Sequence, residues 1–148
     1  MSNDTVVRLA GLENITGIKD ATGELPRGRE LIQRCGEEIA IYSGDDPTAM
    51  ELILGGGSGS ISVTANVAPV LVARMCQLAL AGDREQAQAI DRQLAPLNKA
   101  LFLEPNPIPV KWALHQRGII GEGIRLPLTS LDEQYHATVL DALEVAGV

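Results

Sequence analysis

Apolar and polar positions fall into two regimes along the chain. Over roughly the first 66 residues, short apolar runs of strand length alternate with segments of helical spacing; from Val67 onward only helical spacing remains. Ser2-Asn3-Asp4 supplies N-cap residues, and Val6, Val7, Leu9 and Ala10 follow as a short helix ending near Gly11. Residues 15–19 read as a first strand. Pro26 suits the first turn of a helix carrying Leu31 and Ile32 and ending near Gly36. Residues 39–43 read as a second strand. Asp46 then serves as N-cap, with Pro47 at the first helical position and Ala49, Met50, Leu52 and Ile53 as the apolar face. Gly55-Gly56-Gly57 stops that helix, and residues 60–64 form a third strand. Val70, Leu71, Met75, Leu78 and Ala79 predict a helix ending at Gly82, and Asp83 caps another through Ala87, Ile90, Leu94 and Leu97. After the proline-broken 104–109 stretch come helices over about 110–117 and 132–145.

Three strands separated by single helices, with no Asn-Gly or Asp-Gly hairpin signal between them, predict parallel βαβ units and an α/β class. Three parallel strands are few for a sheet, because the outer two expose unpaired edges. The expected division is residues 1–82 as the sheet-bearing part and 83–148 as a helical extension.

At 148 residues the chain can form one core, and 45% hydrophobic against 21% charged residues reads as globular. Aromatics are only 3%, so Ala, Leu, Ile and Val must fill that core. A net charge of -7 without a basic cluster argues against nucleic-acid binding. Cys35 and Cys76 stand apart with no CxxC and read as reduced, helix-packed thiols. The opening residues carry no secretory pattern, and the longest apolar tract is too short to span a bilayer, so a cytoplasmic location is expected and a membrane role is not.

Lys19 is the candidate for chemistry. In an extended segment Ile15, Gly17 and Lys19 share one face, and Thr16, Ile18 and Asp20 the other. An amine on an inward face loses water, which favours the neutral form that attacks a ketone to give a Schiff base. A snorkelling or ion-paired strand-end lysine is the plainer reading of the position alone. The other constellations favour plain structural roles. GGGSGS at 55–60 precedes a strand and has no GK[ST], so it reads as a helix stop rather than a phosphate loop. Asp45 and Asp46 lack the further ligands of a metal site, although Asp45, at a strand's C-terminal end, is placed to line a pocket. His115 and His136 have no partner at ligand spacing and read as surface or interface residues, and Trp112 as packing.

Four segments stand together and in order: GIKDATG around Lys19, IYSGDD at 41–46, GSISVTANVAP at 59–69 and EPNPIPVKWAL at 104–114. Over essentially all 148 residues the chain resembles the C-terminal half of the dihydrodipicolinate synthase family, pyruvate-dependent lyases of the (β/α)₈-barrel (TIM-barrel) type. The resemblance implies that the three strands are barrel strands six to eight and that the later helices form the family's C-terminal helical region. It makes Lys19 the Schiff-base lysine, sets Ile61 near bound pyruvate, and puts Gly44 and Asp45 on the loop at the pocket mouth. The implied reaction condenses pyruvate with aspartate semialdehyde, in diaminopimelate and lysine biosynthesis, with no metal or organic cofactor.

The family's carboxylate-binding threonine pair, catalytic tyrosine and substrate-gripping arginine lie in the front half and match nothing here; Tyr42 and Tyr135 do not fit the tyrosine's motif. The chain alone is therefore expected to be weak or inactive. With Ile15, Ile39, Ile41, Ile61 and Val63 expected to lack part of their cover, it should self-associate as a homo-oligomer, pair with a separately supplied front half, or be a piece of a longer chain. Two other readings stay open: a non-catalytic half-barrel that serves assembly or binding, and another pyruvate-dependent class I aldolase of the same superfamily.

Overall fold

The computed structural model describes all 148 residues. Helix α1 (Asn3–Ala10) leads into β1 (Gly17–Asp20), α2 (Leu25–Cys35), β2 (Ala40–Ser43), α3 (Ala49–Leu54) and β3 (Gly59–Ser60). Four helices follow: α4 (Pro69–Leu80), α5 (Arg84–Ala100), α6 (Ile108–Gln116) and α7 (His136–Ala146). The strands are parallel, as the βαβ pattern predicts, and lie in the order β1-β2-β3. Both outer strands leave one edge unpaired.

Side-chain capping explains two of the helix starts. Ser2 Oγ accepts from the Thr5 amide at the head of α1, and Asp83 does the same for the Gln86 amide at the head of α5. The Gly55–Ser60 segment is the helix stop and tight connection expected of it. Gly56 has φ +106, a conformation glycine adopts without steric cost, and the chain re-enters the sheet at Gly59.

Two expectations need correction. The third strand ends at Ser60 instead of reaching residue 64, because Thr64–Asn66 turns into a 3₁₀ helix. Asp46 does not cap its own helix. A 3₁₀ turn, Asp46–Thr48, precedes α3, and the Asp46 carboxylate instead crosses to the amides of Val63 and Thr64, each at 3.0 Å. One fact explains both: the carboxylate takes up amides that a longer β3 would have spent on a ladder.

Apolar cover is divided among three clusters. The first joins Val6, Leu31, Cys35, Ile39 and Ile41 between α1, α2 and the sheet. The second joins α3, α4 and the start of α5 through Met50, Ile53, Met75, Leu78 and Ala87. The largest has 15 buried residues, spread over α4 to α7 and centred on Leu94, Leu97, Leu101 and Val139, and it includes Val67, Ala68 and Val72 from before residue 83. Ile39 and Ile41, expected to lack cover, are buried, because the sheet turns their face towards the helices. Ile61, at 48% exposure, and the half-buried Ile15 and Val63 do lack part of it.

Polar ties fix the helices. Asp20, buried on the helix side of β1, accepts from Arg27 Nε of α2 at 3.2 Å. Arg84 pairs with Glu51 and ties α5 to α3, and its guanidinium holds the Glu51 carboxyl below the usual carboxylate range. Trp112 stacks on His136 at 4.3 Å and 20°, joining α6 to α7. His115 and His136 are half-buried, each with one ring nitrogen against a backbone carbonyl, and His136 lies between α6 and α7. Both cysteines are free, and burial pushes both thiols up. No helix is long and apolar enough to cross a membrane.

Candidate functional site

The register of the sheet builds the site row by row. Lys19 stands opposite Tyr42, which stands opposite Gly59; Asp20, Ser43 and Ser60 form the next row. Because the side-chain period is two, Gly17, Lys19, Ala40 and Tyr42 share one face while Ile18, Asp20, Ile41 and Ser43 point to the helices. Burial follows this division: Ile41, Ser43 and Asp20 are buried, Gly17 and Lys19 are exposed, and Ala40 and Tyr42 are intermediate. The helix-free face therefore carries the lysine.

Beyond the strand ends, the Gly44 amide donates to the Asp20 carbonyl and the Ile61 amide to the Ser43 carbonyl, both at 2.8 Å. These bonds continue the ladder by one step, so Gly44 and Ile61 follow Lys19 on the same face at the carboxyl ends of the strands. Lys19 lays its stem directly over Gly44. A Cβ built at Gly44 would stand 2.5 Å from Lys19 Cε, 2.8 Å from Lys19 Cγ and 2.8 Å from Ala21 Cβ. Glycine at 44 is what lets the stem lie flat.

Sequence reasoning put the lysine on the correct face but misjudged its surroundings. Lys19 is exposed, and none of the principal cavities includes it. The dry environment expected of this face is therefore not supplied by the chain's own residues.

Asp45 is half-buried. Its Oδ2 accepts from Thr48 Oγ1 at 2.6 Å, and it lines an open depression of about 670 Å³ together with Asp91, Asn98, Lys99 and the exposed ring of Phe102. The depression lies against α5, and neither Lys19 nor Ile61 is among its lining residues. No group of three metal-ligating side chains comes together.

Burial, with a smaller contribution from Glu51, pushes the half-buried Asp91 carboxyl above the usual carboxylate range. A raised folded value means ionised Asp91 costs stability: stability falls as pH rises through its unfolded value, about 3.9, to its folded one, and levels off above that. Asp91→Asn is expected to raise the urea midpoint at neutral pH, with the difference vanishing towards pH ~3. An unchanged or lower midpoint at neutral pH contradicts this.

The residues that sequence reasoning missed are those tying the site to the rest of the molecule. The Asp46 carboxylate, expected only as a cap, grips the segment after β3. Asn98 of α5 accepts from Thr64 Oγ1 at 2.7 Å, with both residues buried. Partners 17 to 34 positions apart leave no local pattern to read.

Comparison with known proteins is consistent in extent and identity. Residues 1–146 match the Dihydrodipicolinate synthetase family. The chain is 57% identical over 148 residues to a 4-hydroxy-tetrahydrodipicolinate synthase of Marinobacter nauticus, and 60% identical to one of Thioalkalivibrio sulfidiphilus. All of this chain aligns, to 51% and 50% of those proteins respectively, so the chain spans about half the length of the curated relatives it matches. Among solved structures, the chloride-inhibited dihydrodipicolinate synthase of Acinetobacter baumannii, complexed with pyruvate, superposes with TM-score 0.96 at 55% identity, over 99% of this chain and 50% of that one. The Aquifex aeolicus enzyme gives TM-score 0.93 at 38% identity, over 97% and 49%. The sheet and helices described above are accordingly part of a (β/α)₈ barrel followed by C-terminal helices.

Proposed function

The chain belongs to the dihydrodipicolinate synthetase family, and from that we propose that Lys19 is the nucleophile of a pyruvate-dependent lyase acting through a Schiff base. The supporting observation is the convergence of Lys19, Gly44 and the Ile61 segment on one helix-free face at the carboxyl ends of three parallel strands. That is where (β/α)₈ barrels carry their chemistry.

In this reading neutral Lys19 Nζ attacks the pyruvate ketone carbon. Loss of water gives an iminium, which draws electrons from the methyl carbon as it releases a proton. The enamine so formed attacks the aldehyde carbon of aspartate semialdehyde, as befits diaminopimelate and lysine biosynthesis in the cytoplasm. Cyclisation, in which the product's amine displaces Nζ, frees the lysine. Ile61 lines the pyruvate side, and Gly44 and Asp45 the mouth.

Dryness and acid–base partners must come from outside these residues, because the face bearing Lys19 is open. The chain acts when five further barrel strands close over that face, in a longer polypeptide or from a separate front half. Residues 1–82 form the barrel part and 83–148 the helical extension.

The test is intact-mass measurement after incubation with pyruvate and borohydride, with and without the purified front half of a relative. A single reduced pyruvate on Lys19 in the assembled sample is the expected result. An assembled, folded sample that gains no mass, or gains it on other lysines, overturns the reading. Gly44→Ala should slow adduct formation in the assembled sample by about ten- to a hundredfold, since the new methyl lifts the lysine stem off its seat. Wild-type rates in that variant count against the seat.

A further inference from the structure

We propose that Asp46 and Asn98 are positioning residues that hold the Ile61 segment in place against the sheet, so that the C-terminal helices set one wall of the site. The role of that wall rests on the reading of Ile61 as pyruvate-facing. Ile61 itself is 48% exposed, so apolar packing does not define its position. Polar ties on either side do.

Upstream, the Ile61 amide donates to the Ser43 carbonyl at 2.8 Å. Downstream, one oxygen of Asp46, Oδ2, accepts from the amides of both Val63 and Thr64 at 3.0 Å. Asp46 is 5% exposed and stands two residues after Gly44, so the carboxylate that fixes the turn after β3 belongs to the loop at the end of β2. Ser62 Oγ accepts from the Ala65 amide at 2.8 Å and completes the turn. The hydroxyl of Thr64, fully buried, then donates to Asn98 Oδ1 at 2.7 Å. Asn98 sits on α5, between this turn and the depression that Asp45 also lines. A charged acceptor shared by two amides is among the stronger hydrogen-bond arrangements, and a buried hydroxyl without its acceptor is costly. The chain of contacts therefore runs from the loop at Gly44, through the Ile61 segment, into the helical layer.

Backbone amide exchange, followed by mass spectrometry on the whole 148-residue chain, tests this. Asp46→Ala is expected to speed exchange in residues 61–66 about tenfold or more, while peptides from β1 and α7 keep wild-type rates. Asp46→Asn keeps an oxygen acceptor and should stay within about threefold. Asn98→Ala, which reaches the turn only through Thr64, should speed the same residues by about three- to tenfold. A rise shared by all peptides, α7 included, signals plain loss of stability and overturns the proposal, as does no rise in 61–66. If Asp46→Ala does not fold, Asn98→Ala decides by the same criteria. Pyruvate trapping on Lys19 is read separately: absence of an adduct in assembled wild-type protein removes the Schiff-base reading, while the exchange pattern still upholds or overturns the tie.

Discussion

A Lys19→Ala chain, assembled with a front half and treated with pyruvate and borohydride, is expected to keep its unmodified mass while the wild-type assembly gains one reduced pyruvate. The loss should be complete, because alanine offers no amine and no other lysine of the chain lies on the helix-free face. The remaining two, Lys99 and Lys111, sit on α5 and α6. Wild-type chain without the front half should trap pyruvate more slowly by a factor of roughly 10² or more, the usual contribution of positioned acid–base groups. On the proposed reading that difference separates two contributions: Lys19 and its seat on Gly44 from this chain, and desolvation and proton transfer from the added front half. An adduct that persists in the alanine variant, mapped to Lys99 or Lys111, refutes the assignment of Lys19.

Leu97→Ala should destabilise the chain by about 2–5 kcal/mol, the range for truncating a fully buried leucine. Leu97 has no exposed surface and lies in the largest apolar cluster, between α5 and the residues of α4 and α7. Relaxation around the deleted methyls is limited because neighbouring Leu94 and Leu101 are equally enclosed. Leu140→Ala on α7, where the side chain is 46% exposed, serves as the control and should cost well under half as much. Chemical denaturation of the two variants decides the matter, and equal losses would mean that the cluster does not carry the fold. At the upper end of this range the variant approaches the whole stability of a typical domain.

Parallel pairing and all seven helices were legible in the chain, because apolar period and capping residues are local signals, whereas the β1-β2-β3 order came only through the resemblance to consecutive barrel strands. The orientation of Ile39 and Ile41 was not. Alternation puts them on one face but says nothing of which face meets the helices, and here they lie beneath α1 and α2. Lys19 shows the same limit from the other side: its face followed from period two, whereas its exposure on a three-stranded sheet is not reported by any local spacing. Asp46 was misread for a different reason. Asp followed by Pro is a sound helix-start signal, yet the competing acceptor role lies 17 and 18 residues away, where no spacing rule reaches. The four motifs pointed to Lys19, Gly44, Asp45 and Ile61 as candidates, but to neither Asn98 nor its hold on Thr64.

The two free sheet edges are not equivalent, and this limits how copies of the chain could satisfy one another. Joining β1 of one molecule to β3 of the next keeps all strands running the same way, which is a heterologous, head-to-tail contact rather than a two-fold one. Closed rings built so hold multiples of three strands, and eight, the number in a (β/α)₈ barrel, is not among them. Rotational symmetry alone therefore cannot rebuild the parent cylinder from this unit; its closure calls for a second, unlike piece.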